Sequence, residues 1–349
     1  MNISEWSKSE EEKSEILNLA MKAFGKGELI EPEFFDWQYK KNPEGDAVVV
    51  TVKDPDNNNA IIGVNAFLPM SFGYNQKIVR CFLSCNSIID PDYRKKGIFT
   101  QLVSKIPEIF AKKEFSIIYG IPNLNSRKIF SQNHFLEISK LPLLVKPLNL
   151  SSYFDSQFSN ILKPFDIFWK PKVSPSPDIK FLENEITSEF DELMNKSLNR
   201  STIIHFRNKE FLQWRYIKHP TRDYKILTLR NNSKLSGYIV TREMEIFSKK
   251  IGVIVDFMLD SSIEQKTNFQ NLVKTALLDF WKNDISIVIA TSKFGMIEEQ
   301  ILRKSGFFKA PSFLKQEQMP LIISTFNENF KNFKNFDEWY FVLGDYDVF

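Results

Sequence analysis

The chain has 349 residues, of which 43% are hydrophobic and 26% are charged. This length is enough for two domains, each with its own hydrophobic core. The net charge of +3 comes from 46 basic and 43 acidic residues, a balance that does not indicate nucleic-acid binding. No apolar run is long enough to span a membrane, and the first residues lack the features of a signal peptide, so we expect a cytoplasmic protein.

The cysteines and histidines limit the metal and redox chemistry that the chain can support. Cys81 and Cys85 lie on one face of a predicted strand, where a bridge within the strand is geometrically difficult, so we expect free thiols. The three histidines, His134, His205 and His219, lack the spacing of metal ligands. We therefore expect no metal site.

The first half of the chain reads as alternating strands and helices. A run of apolar residues from Cys81 to Ile89 predicts a buried strand, which ends at Asp90-Pro91 because proline cannot continue a strand ladder. Apolar residues at helical spacing then predict a helix that begins at Ile98. The other predicted elements are a helix over 10–24, a hairpin of strands over 47–53 and 61–69, a buried strand over 115–121, and a helix that carries Phe130.

A basic loop, Arg94-Lys95-Lys96-Gly97, joins the central strand to its helix. The N-terminus of a helix offers unpaired N–H groups and the positive end of the helix dipole to an anion. Gly97 lets a ligand approach the backbone because it has no Cβ. The arrangement predicts a diphosphate site, and a solvated basic loop is the alternative interpretation.

Two motifs carry a resemblance to a known family. Arg94-x-x-Gly97-x-Phe99 resembles the pyrophosphate-binding motif of the GNAT superfamily of acyl-CoA-dependent acyltransferases, with Phe99 in place of a small residue. The family's second pattern is Asn-x-x-Ala-x-x-Leu-Tyr-x-Lys-x-Gly-Phe. It keeps its spacing here, although Phe130 replaces the tyrosine and His134 the glycine; the matching positions are Asn123, Ser126, Ile129, Phe130, Gln132, His134 and Phe135.

The second half of the chain repeats the first. The segment 211–220 mirrors 35–43 in its Trp, Tyr and Pro positions, strands are predicted over 224–230, 235–242, 251–259 and 285–291, and 301–307 again resembles the second GNAT pattern. The recurrence of Trp37, Tyr39, Trp214 and Tyr216 favours a packing role over sugar stacking. The loop Asp260–Asn268 has no Arg-x-x-Gly, so the chain resembles tandem-GNAT bacterial proteins with the active copy first.

This resemblance implies an α/β (α+β) fold of two GNAT-like domains. Each would have a mixed, mostly antiparallel central sheet flanked by helices. We expect a catalytic domain with the acyl-CoA site over 1–170, a Pro/Ser linker over 171–179, and a degenerate domain without CoA over 180–349.

The resemblance also implies the residues of the cofactor site. The main chain around Ser87, Ile88 and Ile89 would hold the pantetheine and the thioester oxygen, and Arg94, Lys95, Lys96 and Gly97 the diphosphate. Asn123 would face the pantetheine arm. The predicted set is completed by Ile98, Phe99 and Ser126.

The general acid is less defined, because the family's tyrosine is Phe130 here. Tyr119 is one candidate, and a core aromatic is its alternative interpretation. His134 could act as acid or base, or could simply end a helix. A thiolate can also leave without a protein acid, because thiols are already fairly acidic.

The C-terminal segment suggests an acceptor site. The run Trp339–Leu343 predicts a buried strand, and extended geometry past Gly344 would place Asp345 and Asp347 on one face. Two neighbouring carboxylates suit a protonated amine or sugar hydroxyls, and one of them could accept a proton. A frayed acidic tail is the alternative.

The resemblance implies an N-acetyltransferase with acetyl-CoA as co-substrate and a small-molecule amine as acceptor, and an amino sugar is the acceptor class that it suggests. Alternatives are a non-catalytic acyl-CoA-binding protein and a Fem-type aminoacyltransferase. The Arg94–Gly97 loop argues against the Fem type, which needs no cradle for a CoA diphosphate. The sequence gives no indication of the oligomeric state.

Overall fold

The computed structural model describes residues 1–111, 113, 117–153, 156–183, 185–198, 202–246, 249–260, 265–310, 319–326 and 328–348. The described helices are α1 (Glu10–Phe24), α2 (Pro32–Lys40), α3 (Ile98–Phe110), α4 (Leu124–Ser131), α5 (Ser156–Leu162), α6 (Glu189–Ser197), α7 (Lys209–Leu212), α8 (Gln265–Lys282) and α9 (Ile297–Lys304).

The described strands are β1 (Asn2–Glu5), β2 (Val48–Asp54), β3 (Ala60–Tyr74), β4 (Lys77–Ile89), β5 (Ile117–Gly120), β6 (Leu136–Lys140), β7 (Leu143–Pro147), β8 (Ile179–Phe181), β9 (Ile203–His205), β10 (Lys225–Asn231), β11 (Lys234–Ile246), β12 (Lys249–Leu259), β13 (Ile287–Thr291), β14 (Phe308–Lys309), β15 (Pro320–Thr325) and β16 (Trp339–Tyr340). Every predicted helix and strand of the first half is present, with shifts of a few residues at the ends. The predicted strand over 115–121 begins in the described part of the chain at Ile117.

The chain divides into two compact units. The first consists of Met1–Lys140, Lys218–Arg222 and Glu317–Trp339, and the second of Leu141–Ile217, Asp223–Gln316 and Tyr340–Phe349. The proline-rich segment 171–179, predicted as a linker, lies inside the second unit. Both the N–H and the C=O of Ser174 are hydrogen-bonded to the side chain of Asn271, at 3.1 and 2.7 Å, so prolines here interrupt regular structure without freeing the chain.

The first unit is built on a mixed sheet with the order β1-β2-β3-β4-β5-β15-β6. Neighbouring strands on this path pair antiparallel, except for the parallel pair β4–β5. Helix α3 covers one face, where the rings of Phe67 and Phe82 lie 4.9 and 5.0 Å from Phe110. The predicted mixed and mostly antiparallel sheet with flanking helices is confirmed.

The second unit has the same plan, with the order β14-β7-β13-β12-β11-β10-β8 and one parallel pair, β12–β13, on this path. Trp37, Tyr39, Trp214 and Tyr216 are all buried in their respective units. Their burial supports the packing interpretation of the repeated Trp and Tyr.

The two halves of the sequence exchange one strand. β7 follows β6 directly in the chain, yet it pairs with β13 and β14 in the second unit. In return, β15 pairs with β5 and β6 in the first unit. Each unit is therefore completed by a segment from the other half, which explains why no single cut at 171–179 separates them.

A buried ion cluster lies in the second unit. Arg207 Nε lies 2.9 Å from Asp256 Oδ1, and its Nη2 lies 2.6 Å from Asp345 Oδ1, with all three side chains almost fully buried. Burial alone would raise the pKa of Asp345, but Arg207 and His205 hold it below its usual value. Asp256 accepts a further hydrogen bond from Tyr216, yet burial raises its pKa.

The C-terminal segment differs from the prediction at this cluster. Only Trp339–Tyr340 is a strand, and Leu343–Asp345 forms a 3₁₀ turn closed by a hydrogen bond from Val342 N–H to Asp345 Oδ2 (2.9 Å). The extended geometry that would place Asp345 and Asp347 on one face is therefore wrong. Asp345 is the buried partner of Arg207, and Asp347 is half-buried.

Position 134 shows a strained helix ending. His134 follows α4 with a φ of 68°, and Gly306, at the matching motif position after α9, has a φ of 94°. The left-handed region costs an L-residue about 1–2 kcal/mol, which glycine avoids. His134 is an exposed residue that ends a helix where the family pattern has glycine.

We expect His134→Gly to raise the free energy of unfolding by about 0.5–1 kcal/mol, since the relieved strain exceeds the extra chain entropy of glycine. Urea unfolding measures the change. His134→Ala is the control, because it removes the imidazole and keeps the strained backbone. A glycine variant no more stable than the alanine variant would contradict this account of position 134.

We expect Asp345→Asn to lower the free energy of unfolding by on the order of 3 kcal/mol, because it removes a carboxylate from a buried cation. Asp46→Asn is the matched control. Asp46 pairs with Lys8 at the surface, where a salt bridge contributes about 1 kcal/mol or less. Equal losses for the two variants in thermal or urea unfolding would show that the buried cluster does not hold the C-terminal segment.

Candidate functional site

The candidate site begins where β4 and β5 separate. Their parallel ladder pairs Phe82 with Ile118, Leu83 with Tyr119, and finally Ser84 with Gly120, whereas β4 continues to Ile89. Backbone N–H and C=O groups need hydrogen-bond partners when they are withdrawn from water. The edge of β4 beyond Ser84 is therefore suited to pair with an extended ligand.

A bulge in β4 changes its direction at the same point. Ala66 of β3 pairs with Cys85 and Val64 pairs with Ile88, so Asn86 and Ser87 oppose Asn65 alone. Asn86 has a left-handed φ of 48°. Polar side chains hold this bulge in place. Asn86 Nδ2 donates to Gln38 Oε1 (2.6 Å) and to Tyr39 Oη (2.8 Å). Ser87 Oγ donates to Asn65 Oδ1, and Asn65 Nδ2 donates to Ser84 Oγ (3.2 Å).

The loop after β4 is held by residues outside the motif. The Asp90 carboxylate accepts from the N–H of Asp92 (2.9 Å) and lies 2.8 Å from Lys22 Nζ, which also pairs with Asp92 (2.7 Å). These hydrogen bonds, that with Asp90 foremost, raise the pKa of Lys22. Tyr93 donates its hydroxyl to Asp54 (2.7 Å). The loop thus starts from a fixed position before it reaches α3.

The loop ends in a turn with two left-handed residues, Lys95 at φ 63° and Gly97 at φ 75°. Alternation of right- and left-handed residues turns successive N–H groups toward one side, which creates an anion-binding concavity. Gly97 is the N-cap of α3, and a Cβ built on it would meet no protein atom within 4 Å. The space beside Gly97 is open to a ligand.

These features surround one cleft of about 720 Å³ in the first unit. Of the eleven residues predicted to bind the cofactor, ten line it: Ser87, Ile88, Ile89, Arg94, Lys95, Gly97, Ile98, Phe99, Asn123 and Ser126. The eleventh, Lys96, is outside the lining and places its Nζ 4.6 Å from the ring centre of Tyr93. A strand edge, two exposed cations and a helix N-terminus therefore meet in one place.

Asn123 has a local role as well as a place in the cleft. Its Oδ1 accepts from the N–H groups of Asn125 and Ser126, both at 3.0 Å, and so caps α4. The carbonyl end of this side chain is thus occupied by the helix. The prediction that Asn123 faces the pantetheine arm stays a prediction.

The predicted acid and acceptor residues do not line this cleft. Tyr119 is fully buried, with its ring 5.3 Å from Phe72 and 6.1 Å from Trp339. His134 is exposed at the end of α4, and Asp345 lies in the ion cluster of the second unit. None of these three side chains is among the residues that line the cleft.

Phe99 and Phe130, two of the departures from the GNAT patterns, contact each other. Their rings are 5.5 Å apart in an edge-to-face contact, and Phe130 also packs 4.9 Å from Phe135. The aromatic residue at position 99 fills space beside the aromatic residue at position 130. The two replacements therefore belong to one apolar cluster, in which the two aromatic rings pack against each other.

Six further residues, which were not predicted to bind the cofactor, also line the cleft: Ala23, Phe24, Tyr93, Thr100, Asn125 and Ile129. Four of them lie within or beside the two motifs, so their closeness to the motifs in sequence could have indicated them: Tyr93, Thr100, Asn125 and Ile129. Ala23 and Phe24 come from the end of α1, and no local pattern indicates that this helix reaches the cleft.

The second unit is different at the equivalent strand. Asp260 follows β12 directly, as Asp90 follows β4. Its N–H donates to the carbonyl oxygen of Ser236 (2.8 Å), and its carboxylate lies 2.9 Å from Lys196 Nζ. When Asp260 is aligned with Asp90, Asp256 and Phe257 of β12 correspond to Asn86 and Ser87 of β4. Tyr340 donates its hydroxyl to Phe257 O at 2.6 Å.

Close packing accompanies that bond. A Cβ on Gly344 would lie 2.3 Å from Tyr216 Oη and 3.3 Å from Asp256 Cβ. The C-terminal segment therefore occupies the position beside β12 that corresponds to cleft-lining residues of β4. Residues 261–264 of the following loop, predicted to lack a diphosphate site, lie outside the described residues.

The described part of the chain contains neither a cluster of metal ligands nor a helix that could span a membrane. Within the ranges given above, no three or more His, Cys, Asp or Glu residues form a group that could hold a metal ion. Nor does any described helix combine the length and the apolar composition that crossing a membrane requires.

No protein-family model and no curated protein matches the sequence. Solved structures do match. A GCN5-related N-acetyltransferase from Anabaena variabilis superposes with a TM-score of 0.64 at 12% identity, over 93% of this chain and 73% of that one. The N-myristoyltransferase of Saccharomyces cerevisiae, with bound myristoyl-CoA, gives 0.61 at 12% identity, over 92% and 81%.

A conserved protein of unknown function from Enterococcus faecalis, described as a probable N-acyltransferase, gives a TM-score of 0.63 at 11% identity, over 93% of this chain and 72% of that one. At such identities the likeness concerns the arrangement of helices and strands. It agrees with the two mixed sheets and their flanking helices. The chain has the fold of the GNAT N-acyltransferases.

Proposed function

We propose that this protein is an acyl-CoA-dependent N-acyltransferase that uses acetyl-CoA and acetylates the amine of a small acceptor. The observation that carries the proposal is the cleft in which the free edge of β4, the left-handed turn at Lys95 and Gly97, and the start of α3 meet. An amino sugar is one acceptor class within this proposal. The acyl-CoA bound to the yeast N-myristoyltransferase structure supports the choice of a CoA thioester.

The diphosphate of CoA would bind at the turn. Arg94 and Lys95 are exposed and line the cleft, and the first N–H groups of α3 point to the same region as unpaired donors. An anion here is stabilised by the helix dipole and by two cations. The open space beside Gly97 allows oxygen atoms to approach the backbone.

The pantetheine arm would pair with the edge of β4 beyond Ser84. This brings the thioester toward the bulge at Asn86 and Ser87, where main-chain donors can polarise its carbonyl oxygen. A neutral amine adds its lone pair to the carbonyl carbon to form a tetrahedral intermediate. The C–S bond then breaks, the amide forms, CoA leaves as a thiolate, and the proton of the amine passes to water.

We further propose that the thiolate leaves without a protein acid. The family's tyrosine position is Phe130, which is buried against Phe99 and Phe135. Tyr119 lies on β5 in an aromatic environment and outside the cleft lining. Because a thiol has a pKa of about 8–9, its thiolate is a tolerable leaving group near neutral pH.

The second unit is proposed to bind no CoA. The C-terminal segment 340–345 lies against β12, and its hydrogen bond from Tyr340 uses the carbonyl of Phe257. A ligand that extends β12 would have to displace this segment and expose the ion pairs of Arg207. We therefore assign one CoA site to each chain.

Phe130 also favours a second candidate function, a protein that binds acyl-CoA without catalysis. A thiol-release assay with acetyl-CoA and a panel of amines, amino sugars included, separates the two functions. Amine-dependent thiol release supports the transferase. Tight acyl-CoA binding without release across the panel supports the binding protein.

We expect CoA to bind with a stoichiometry near one and Gly97→Trp to abolish binding, because an indole would fill the diphosphate space. Isothermal titration measures both. Gly295→Trp is the matched control, since Gly295 has a φ of 85° and equally open space around a built Cβ. Two equivalent sites, or binding retained by Gly97→Trp, would contradict the assignment of the site to the first unit.

Tyr119→Phe is expected to keep turnover within about tenfold of the parent, since thiolate departure is proposed to need no acid. Steady-state kinetics with acetyl-CoA and the best acceptor provide the measurement. A loss of roughly 10²-fold in kcat with unchanged acetyl-CoA affinity would instead identify Tyr119 as the general acid. Melting temperatures of both proteins serve as the folding control.

A further inference from the structure

A patch of exposed apolar side chains lies in the second unit, on α5 and the 3₁₀ helix that follows it. The patch consists of Ile161, Phe165, Ile167 and Phe168, which are 66%, 56%, 56% and 79% exposed. The rings of Phe165 and Phe168 are stacked with centroids 6.3 Å apart. Four large apolar residues exposed within one short segment differ from the scattered single residues that are normal on protein surfaces.

The acidic residue between Phe165 and Ile167 is turned toward the interior of the unit. Asp166 is buried, and its carboxylate accepts hydrogen bonds from the hydroxyl and the backbone N–H of Ser151, the latter at 3.2 Å. These bonds hold the segment against its unit, so the neighbouring Phe165 and Ile167 face outward. The single acidic group between 156 and 177 is therefore withdrawn from the exposed surface.

Lysines flank the patch on both sides. Lys163 precedes Phe165, and Lys170 and Lys172 follow Phe168; all three are exposed. Lys170 also lies 4.8 Å from the ring centre of Trp281. The surface that accompanies the apolar side chains is thus positively charged.

We propose that this patch docks the protein on an anionic lipid surface. Exposed aromatic and aliphatic side chains enter the boundary between headgroups and acyl chains, and flanking lysines pair with anionic headgroups. One signal alone gives only marginal membrane binding, whereas an apolar insertion combined with a basic surface gives stable binding, and the segment supplies both. This inference does not depend on the proposed acyl transfer.

The charges argue against a second copy of the chain as the occupant. In a two-fold dimer the same surface meets itself, so the lysines of both copies (Lys163, Lys170 and Lys172) would be brought together in one interface. Four side chains also make a contact much smaller than the roughly 800 Å² per partner of a stable protein interface. An anionic membrane complements the positive charge of the lysines, and a small apolar patch is sufficient for insertion into it.

The experiment is flotation of the full chain with vesicles of phosphatidylcholine alone or mixed with phosphatidylglycerol. We expect binding to the mixed vesicles that weakens as ionic strength rises. Lys163→Gln with Lys170→Gln and Lys172→Gln should lower the partition coefficient by on the order of 100-fold, since each lysine contributes a factor of about five. Phe165→Ser with Phe168→Ser should lower it by at least about tenfold.

Ile78→Ser is the matched control, because Ile78 is 54% exposed on β4, outside the patch. It should float like the parent, and all variants should keep the parent's melting temperature. Equal binding to both vesicle types, no binding, or binding unaffected by the serine and glutamine variants would overturn the proposal. A dimer seen by light scattering and lost in the Phe165→Ser, Phe168→Ser variant would overturn it in favour of a second copy.

Discussion

The separation of β4 from β5 after Ser84 and Gly120 is the constraint on which the site depends. A parallel pair that continued would have used the edge of β4 for the sheet and left no opening for a ligand. The bulge at Asn86 and Ser87 turns β4 away, and the loop that follows is fixed by Asp90 and Tyr93 before it enters α3. Sheet geometry, more than any one side chain, creates the cleft.

The same geometry in the second unit is put to a different use. Tyr39 accepts a hydrogen bond from the amide of Asn86, whereas Tyr216 donates to the carboxyl group of Asp256 at the equivalent position. A buried carboxylate needs a counterion, and Arg207 supplies it together with Asp345 from the C-terminal segment. One change from amide to acid thus accompanies the change from an open strand edge to a closed one.

Local patterns in the sequence were sufficient for the predicted helices and strands of the first half and for the position of the basic loop before α3. The run up to Ile89, the break at Pro91 and the helical spacing after Gly97 are short-range signals, and ten of the residues predicted to bind the cofactor line one cleft. Positions that are set by contacts between distant parts of the chain could not be predicted from local patterns. Phe24 reaches the cleft from α1, Asp345 turns inward to meet Arg207, and the partner of β15 lies in the other half of the chain.

The exchange of β7 and β15 has a consequence for how the protein is made. The sheet of the first unit cannot close until Pro320–Thr325 has left the ribosome, because that strand separates β5 from β6. Until then β5 presents an unpaired edge, and such edges recruit other strands. Pairing over so long a stretch of chain also makes folding slow. Expression of either half alone would leave a sheet with a missing strand, so the two repeats form a single folding unit despite their separate cores.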